Sequence, residues 1–138
     1  PMPVAEHVTI PSDLNAAREL QQRLLEQVQR NGYPETVRFA IRLAMEEGLN
    51  NAIKHGNGLD PAKSVEVSYD VDPQRVEITI TDQGAGFAPE DLPDPRADEN
   101  LEKPHGRGVM LMRAYMDEVE FNDAGNRVRM VKRNAVAE

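Results

Sequence analysis

The chain has 138 residues, of which 39% are hydrophobic and 29% charged, and carries a formal net charge of −8. That length suits one domain with a real core, so residues 1–138 are expected to form a single unit. An acidic chain with no cluster of Lys and Arg excludes non-specific nucleic-acid binding, and the absence of cysteine excludes a disulfide framework or a thiolate metal site. No apolar run is long enough to span a bilayer, and PMPVAEHVTI lacks the basic-then-apolar pattern of a signal peptide. A cytoplasmic protein is the expectation.

In chain order, HVTI (His7 to Ile10) is short and β-like. PSD then offers Ser12 or Asp13 as the N-cap of a helix. Leu14, Ala17, Leu20, Leu24 and Val28 recur at helical spacing, and NGY (Asn31 to Tyr33) closes that helix. A second helix is expected from about Pro34, in its first turn, to about His55, where GNGLDP breaks it. VEVSYDV and VEITIT alternate apolar and polar residues around DPQ (Asp72 to Gln74), which predicts an antiparallel hairpin buried on one face.

Gln83 to His105 is rich in Pro, Asp and Glu and has no period. A loop of that size inside a compact domain is usually functional or disordered. Helical character resumes over Gly106 to Met116, and EVEFND with NRVRMVKR predicts a last hairpin around Ala124-Gly125. The expected fold class is α+β: a two-layer α/β sandwich, its mixed, mostly antiparallel sheet covered by three helices on one face. Strands that come in hairpins argue against a doubly wound fold.

The second helix has two polar lines. Arg38, Arg42, Glu46, Asn50 and Lys54 recur every four residues and make a solvated stripe. Glu47, Asn51 and His55 run instead through Val37, Ala40, Ala44, Gly48 and Ala52, the small apolar side that should face the sheet. A buried carboxylate and carboxamide cost several kcal/mol unless paired. Either they hydrogen-bond each other or a strand end, or the small residues around them leave room for a ligand.

Two glycine pairs add to this. In DQGAGF, Asp82 ends a strand, where its carboxylate can accept from an amino group, and Gly84 and Gly86 permit positive φ and close backbone approach. In HGRGVMLM, Gly106 and Gly108 open a helix, whose free N–H groups favour phosphate. Neither pair has P-loop or dinucleotide-fold spacing. Each is weak alone, since Asp and Gly are common in turns.

The ordered triple is far more specific. EGLNNAIKH (Glu47 to His55), DQGAGF (Asp82 to Phe87) and GRGVMLM (Gly106 to Met112) resemble the nucleotide boxes of the ATPase superfamily shared by gyrase, the ninety-kilodalton chaperone, histidine kinases and the mismatch-repair MutL proteins, also called the GHKL or Bergerat-fold group. The resemblance covers nearly the whole chain. The N-A-I-x-H-G ending (Asn51 to Gly56), the G-x-G-F form (Gly84 to Phe87) and M-D-E-V (Met116 to Val119) look most like the branch of bacterial anti-sigma factors that are also serine-protein kinases.

The resemblance implies roles for individual residues. Asp82 would accept from the adenine amino group, with Gly84 and Gly86 turning closely beside the base. Asn51 would coordinate Mg²⁺ between ATP phosphates, a role that suits its carbonyl oxygen. Glu47 would be the catalytic base for an attacking hydroxyl. Gly106 and Gly108 would hold phosphates, and about 88–105 would be the ATP lid. Family members often carry a basic residue shortly before the second glycine pair. Here Lys103, His105 and Arg107 are equal candidates for phosphate. Asn126 stands where many relatives have a Thr that touches phosphate.

The implied function is an ATP-dependent protein-serine kinase that phosphorylates an antagonist protein and otherwise sequesters a sigma factor; relatives of this kind commonly form homodimers. The competing reading is a nucleotide-dependent partner-switching module without useful phosphoryl transfer. A detached histidine-kinase catalytic domain fits less well, because His7, His55 and His105 do not share one helix that could carry a phosphoacceptor.

Overall fold

The computed structural model describes residues 4–84 and 104–134, for Val4 and residues 104–107 the backbone alone. The chain runs β1 (Val4–Pro11), α1 (Leu14–Arg30), α2 (Glu35–Asn50), a π-helical turn (Asn51–Gly56), β2 (Ser64–Val71), β3 (Arg75–Thr81), α3 (Pro104–Tyr115), β4 (Glu118–Phe121) and β5 (Arg127–Arg133). The five strands form one sheet in the order β1-β2-β3-β5-β4, and all four pairings are antiparallel.

One face of the sheet carries the core. Val65, Val67, Tyr69 and Val71 of β2, Val76, Ile78 and Ile80 of β3, and Val128 and Met130 of β5 are buried. They pack in one cluster with Leu20, Leu24 and Val28 of α1, Ile41, Met45 and Leu49 of α2, and Val109 and Met112 of α3. The alternation expected for the hairpins is what makes this one-sided burial possible, because successive side chains point to opposite faces. The other face is polar: Arg129 pairs with Glu77, Glu118 and Glu120 across three strands, and Arg133 pairs with Glu118.

Local chemistry sets most boundaries. Asp13, not Ser12, caps α1, its Oδ1 accepting from Asn15 N–H at 3.3 Å. Gly32 leaves α1 with φ 84°. Pro34 stands just outside α2 as its N-cap rather than in the first turn, with ψ 162°. Asp72 Oδ1 accepts from Gln74 N–H at 2.7 Å and Arg75 N–H at 2.9 Å, which closes the β2–β3 turn. Asn122 Oδ1 accepts from Gly125, Asn126 and Arg127 N–H and closes the β4–β5 turn, with Gly125 at φ 77°.

Two elements depart from the sequence reading. The expected second helix winds as an α-helix only to Asn50; the next six residues form a π-helical turn, with Asn57 N–H donating to Ala52 C=O at 2.8 Å. Such wider turns are rare and concentrate at functional sites. The third helix begins at Pro104, two residues before the expected start, so the glycines lie within it.

Candidate functional site

A cavity of about 210 Å³ opens between the end of α2, the end of β3, α3 and the β4–β5 turn. Its apolar wall is formed by Ala52, Ile80, Met112, Phe121 and Val128; its polar groups are Asn51, His55, Asp82, Asn126 and Arg127. An apolar slot with a few converging polar groups is the usual form of a small-molecule site.

Glu47 and Asn51 lie one helical turn apart at the α2 terminus, both half-buried. The first turns of α3 press against them. A β-carbon at Gly108 would lie 3.1 Å from both Glu47 Oε1 and Asn51 Nδ2. Asn51 Nδ2 is buried with no hydrogen-bond partner. His55 belongs to the π-helical turn and is exposed, and it lines the same cavity as Asn51. Partial desolvation and the neighbouring Lys54 ammonium hold its pKa below the usual histidine value.

Small residues on the inner side of α2 serve packing as well as space. A β-carbon at Gly48 would sit 2.9 Å from Ile80 Cδ1 and 3.3 Å from Met130 Cε, so much of the room expected there is filled by the sheet.

Asp82 lies just past β3 and is half-buried. Its N–H donates to Asn126 C=O at 2.9 Å, and its Oδ1 accepts from Gly84 N–H at 2.8 Å. Burial raises its pKa above the usual carboxylate value, partly offset by the Gly84 hydrogen bond and the Lys63 charge. The carboxylate rests on Gly56: a β-carbon there would fall 2.3 Å from Asp82 Cγ. Gly84 in turn packs on the Gly56 carbonyl, where a β-carbon would lie 1.9 Å from the oxygen. Its backbone does not have positive φ. Gly84 is therefore required by contact with another glycine rather than by turn geometry.

Asn126 lines the cavity beside Asp82. Its Nδ2 donates to Asp82 C=O at 3.4 Å and its Oδ1 accepts from Asn122 Nδ2 at 2.8 Å. The β4–β5 hairpin brings it to this place beside Asp82. Gly106 lies in the first turn of α3 and Gly108 in the second. The first turn leaves N–H groups free, and at Gly108 the close approach is to Glu47 and Asn51. Gly86 and Lys103 lie outside the described residues, as do the side chains of His105 and Arg107 and the expected lid as far as residue 103.

Sequence reasoning missed several contributors. Phe121, Met112 and Ile80 read only as strand and helix apolar positions, and Arg127 as a strand polar residue. Asn57, in GNG, read only as a helix breaker, yet it is 2% exposed and fully hydrogen-bonded.

Comparison with known proteins identifies the family. Residues 10–132 match the family described as the histidine kinase-like ATPase domain. An anti-sigma F factor of Clostridium perfringens is 31% identical over 100 residues, covering 67% of this chain and 70% of that protein. The serine-protein kinase RsbW of Bacillus licheniformis is 33% identical over 101 residues, covering 67% of this chain and 62% of the relative. Among solved structures, one of the RsbU and RsbW domains of a Mycobacterium tuberculosis protein superposes with a TM-score of 0.63 at 18% identity, covering 95% of this chain. This chain spans 32% of that longer one, and the likeness concerns the fold. The match over residues 10–132 places the chain in the histidine kinase-like ATPase family.

Proposed function

We propose that the chain binds ATP with Mg²⁺ in the cavity beside α2, phosphorylates a serine of a small antagonist protein, and in its other state sequesters a sigma factor. The observation that carries this reading is the layout of the cavity. A carboxylate stands on a glycine floor at one end, and Asn51 with a buried, unpartnered amide lies beside Glu47 at the other. Relatives named anti-sigma F factor and serine-protein kinase support the activity and the partner classes.

At the base end, Asp82 Oδ1 is held by Gly84 N–H, which leaves Oδ2 to accept from the adenine amino group. Asn126 and the Gly56–Gly84 contact hold the backbone that carries Asp82, while Ile80, Met112 and Phe121 cover the ring faces. At the other end, the residues present fit a magnesium ion. Among the described residues no cluster of three His, Cys, Asp or Glu could hold a metal by itself. Mg²⁺ bound by one or two protein oxygens plus phosphates needs no such cluster, and Asn51 Oδ1 supplies one hard oxygen. Bound Mg²⁺-ATP supplies the γ-phosphoryl group and neutralises its charge.

Glu47 accepts the proton of the incoming serine hydroxyl as its oxygen bonds to the γ-phosphorus and the bond to the bridging β–γ oxygen breaks. The free N–H groups of the first turn of α3, including Gly106, with Lys103, His105 or Arg107, hold phosphate, and residues 88–105 close over the nucleotide. We place this unit, a single domain over 1–138, in the cytoplasm, working as a homodimer. Among the described residues no helix is long and apolar enough to cross a membrane.

Isothermal titration of ATP with Mg²⁺ into the parent and Asp82→Ala tests the reading. Micromolar binding that Asp82→Ala abolishes supports it; a parent that binds no ATP overturns it.

A further inference from the structure

Asn57 closes the π-helical turn and is 2% exposed. Its carboxamide joins segments far apart in sequence. Nδ2 donates to Ser12 Oγ at 2.8 Å and to Ser64 C=O at 2.9 Å, while Oδ1 accepts from Gln83 N–H at 2.7 Å. Ser12 Oγ donates onward to Lys63 C=O at 3.0 Å, and Gln83 Oε1 accepts from Ser64 N–H at 2.7 Å. The end of β1, the end of the π-helical turn, the start of β2 and the turn after β3 therefore meet at one side chain, and both of its amide hydrogens are used.

This hub lies between the two faces of the base end. The residue before it, Gly56, is the floor under the Asp82 carboxylate and the surface on which Gly84 packs. The residue it holds, Gln83, is the one after Asp82. Asn57 thus holds the π-helical floor and the Asp82 turn in register from outside the cavity, whose lining does not include it.

We infer that Asn57 is a positioning residue for base selectivity: it aims the Asp82 carboxylate at the adenine amino group through Gly56 and Gln83. The inference rests on the nucleotide reading above and assigns Asn57 no contact with ligand. A side chain that served stability alone would weaken all nucleotides together when removed. A side chain that aims Asp82 affects only ligands that use the amino group.

Two probes separate these cases: ATP, and inosine triphosphate, which carries a carbonyl oxygen in place of that amino group. Each is titrated with Mg²⁺ into the parent, Asn57→Ala and Ser12→Ala, with unfolding midpoints measured in parallel. The parent should prefer ATP by about ten- to a hundredfold, the worth of one hydrogen bond to a charged acceptor. Asn57→Ala should reduce that preference to about threefold or less while inosine triphosphate binding changes by no more than about twofold.

An equal loss for both nucleotides, or an unchanged preference, overturns the inference. Should Asn57→Ala not fold, Ser12→Ala decides, because it removes one of the two acceptors that orient the amide. A preference reduced by about two- to threefold supports the inference, and an unchanged one overturns it. A parent that binds neither nucleotide overturns the nucleotide reading itself, and this inference with it. A parent that binds both equally overturns the role of Asp82 and the inference, leaving nucleotide binding standing.

Discussion

Gly56 and Gly84 meet backbone to backbone, so close that a β-carbon on Gly84 would lie 1.9 Å from the Gly56 carbonyl oxygen. The contact joins the π-helical turn to the turn that carries Asp82, and neither backbone can yield without moving one of them. Gly84→Ala is expected to cost about 1–3 kcal/mol of stability, the usual range for an overpacked site. Gly56→Ala meets the Asp82 carboxyl group instead, at 2.3–2.6 Å, and a side chain can swing away more easily than backbone. It should cost less stability but weaken ATP binding by about tenfold or more, the loss of one charged hydrogen bond. Urea unfolding and titration of ATP on both variants check this; equal stability losses would count against it.

Glu47 stands one helical turn from Asn51 and beside Gly108. Glu47→Gln preserves the shape and removes the base, so phosphoryl transfer to a serine substrate should fall by about 10²–10⁴-fold. ATP affinity should stay within about threefold of the parent, because the proton is taken only during transfer. A radiolabel transfer assay alongside titration separates the two. Retained transfer would remove Glu47 from the mechanism.

Asp82 has a folded-state pKa raised above its ordinary value of 3.8, with burial the largest cause. The sign follows directly. The protonated group is the form the fold favours, so its contribution to stability is full below about 3.8 and is lost as pH rises through the folded value. At neutral pH the ionised carboxylate therefore weakens the fold, and Asp82→Asn should unfold at a higher urea concentration than the parent. ATP binding should follow the opposite course in the parent, declining as pH falls through the raised pKa, and should be weak and flat with pH in Asp82→Asn. A variant less stable than the parent at pH 7 would contradict the burial argument.

Leu59 has φ 58° and is 54% exposed, so it adopts a left-handed conformation without burial to compensate. That conformation costs an L-residue about 1–2 kcal/mol. Leu59→Gly removes the strain and gives back part of it as unfolded-chain entropy, for a net gain of about 0.5–1 kcal/mol. Thermal unfolding should shift upward by a few degrees; a downward shift would mean that the leucine packs more usefully than its exposure indicates.

What could be read from the amino acids was what local rules control. Period-two alternation located β2 and β3, and the three-to-four spacing from Leu14 to Val28 located α1, because each pattern is the direct imprint of one buried face. The inward placement of Glu47 and Asn51 followed from the same arithmetic, and the order of the three boxes pointed to the family now matched over residues 10–132. The same arithmetic put His55 on that side, and it does line the cavity with Asn51, but the change of winding from α to π at Asn51 was not legible in any periodicity. Ser12 and Asp13 were equally good caps by type; Asp13 took the cap, while Ser12 turned inward to Asn57, 45 positions away. Asn126 came to lie beside Asp82 because a hairpin closed by Asn122 carried it there. Gly84 answered to Gly56, and Gln83 to Asn57 across 26 positions of chain. A periodicity reports which way a side chain faces along its own element. It holds no information about which distant backbone will arrive opposite, and the Asp82 end of this cavity is made almost entirely of such arrivals.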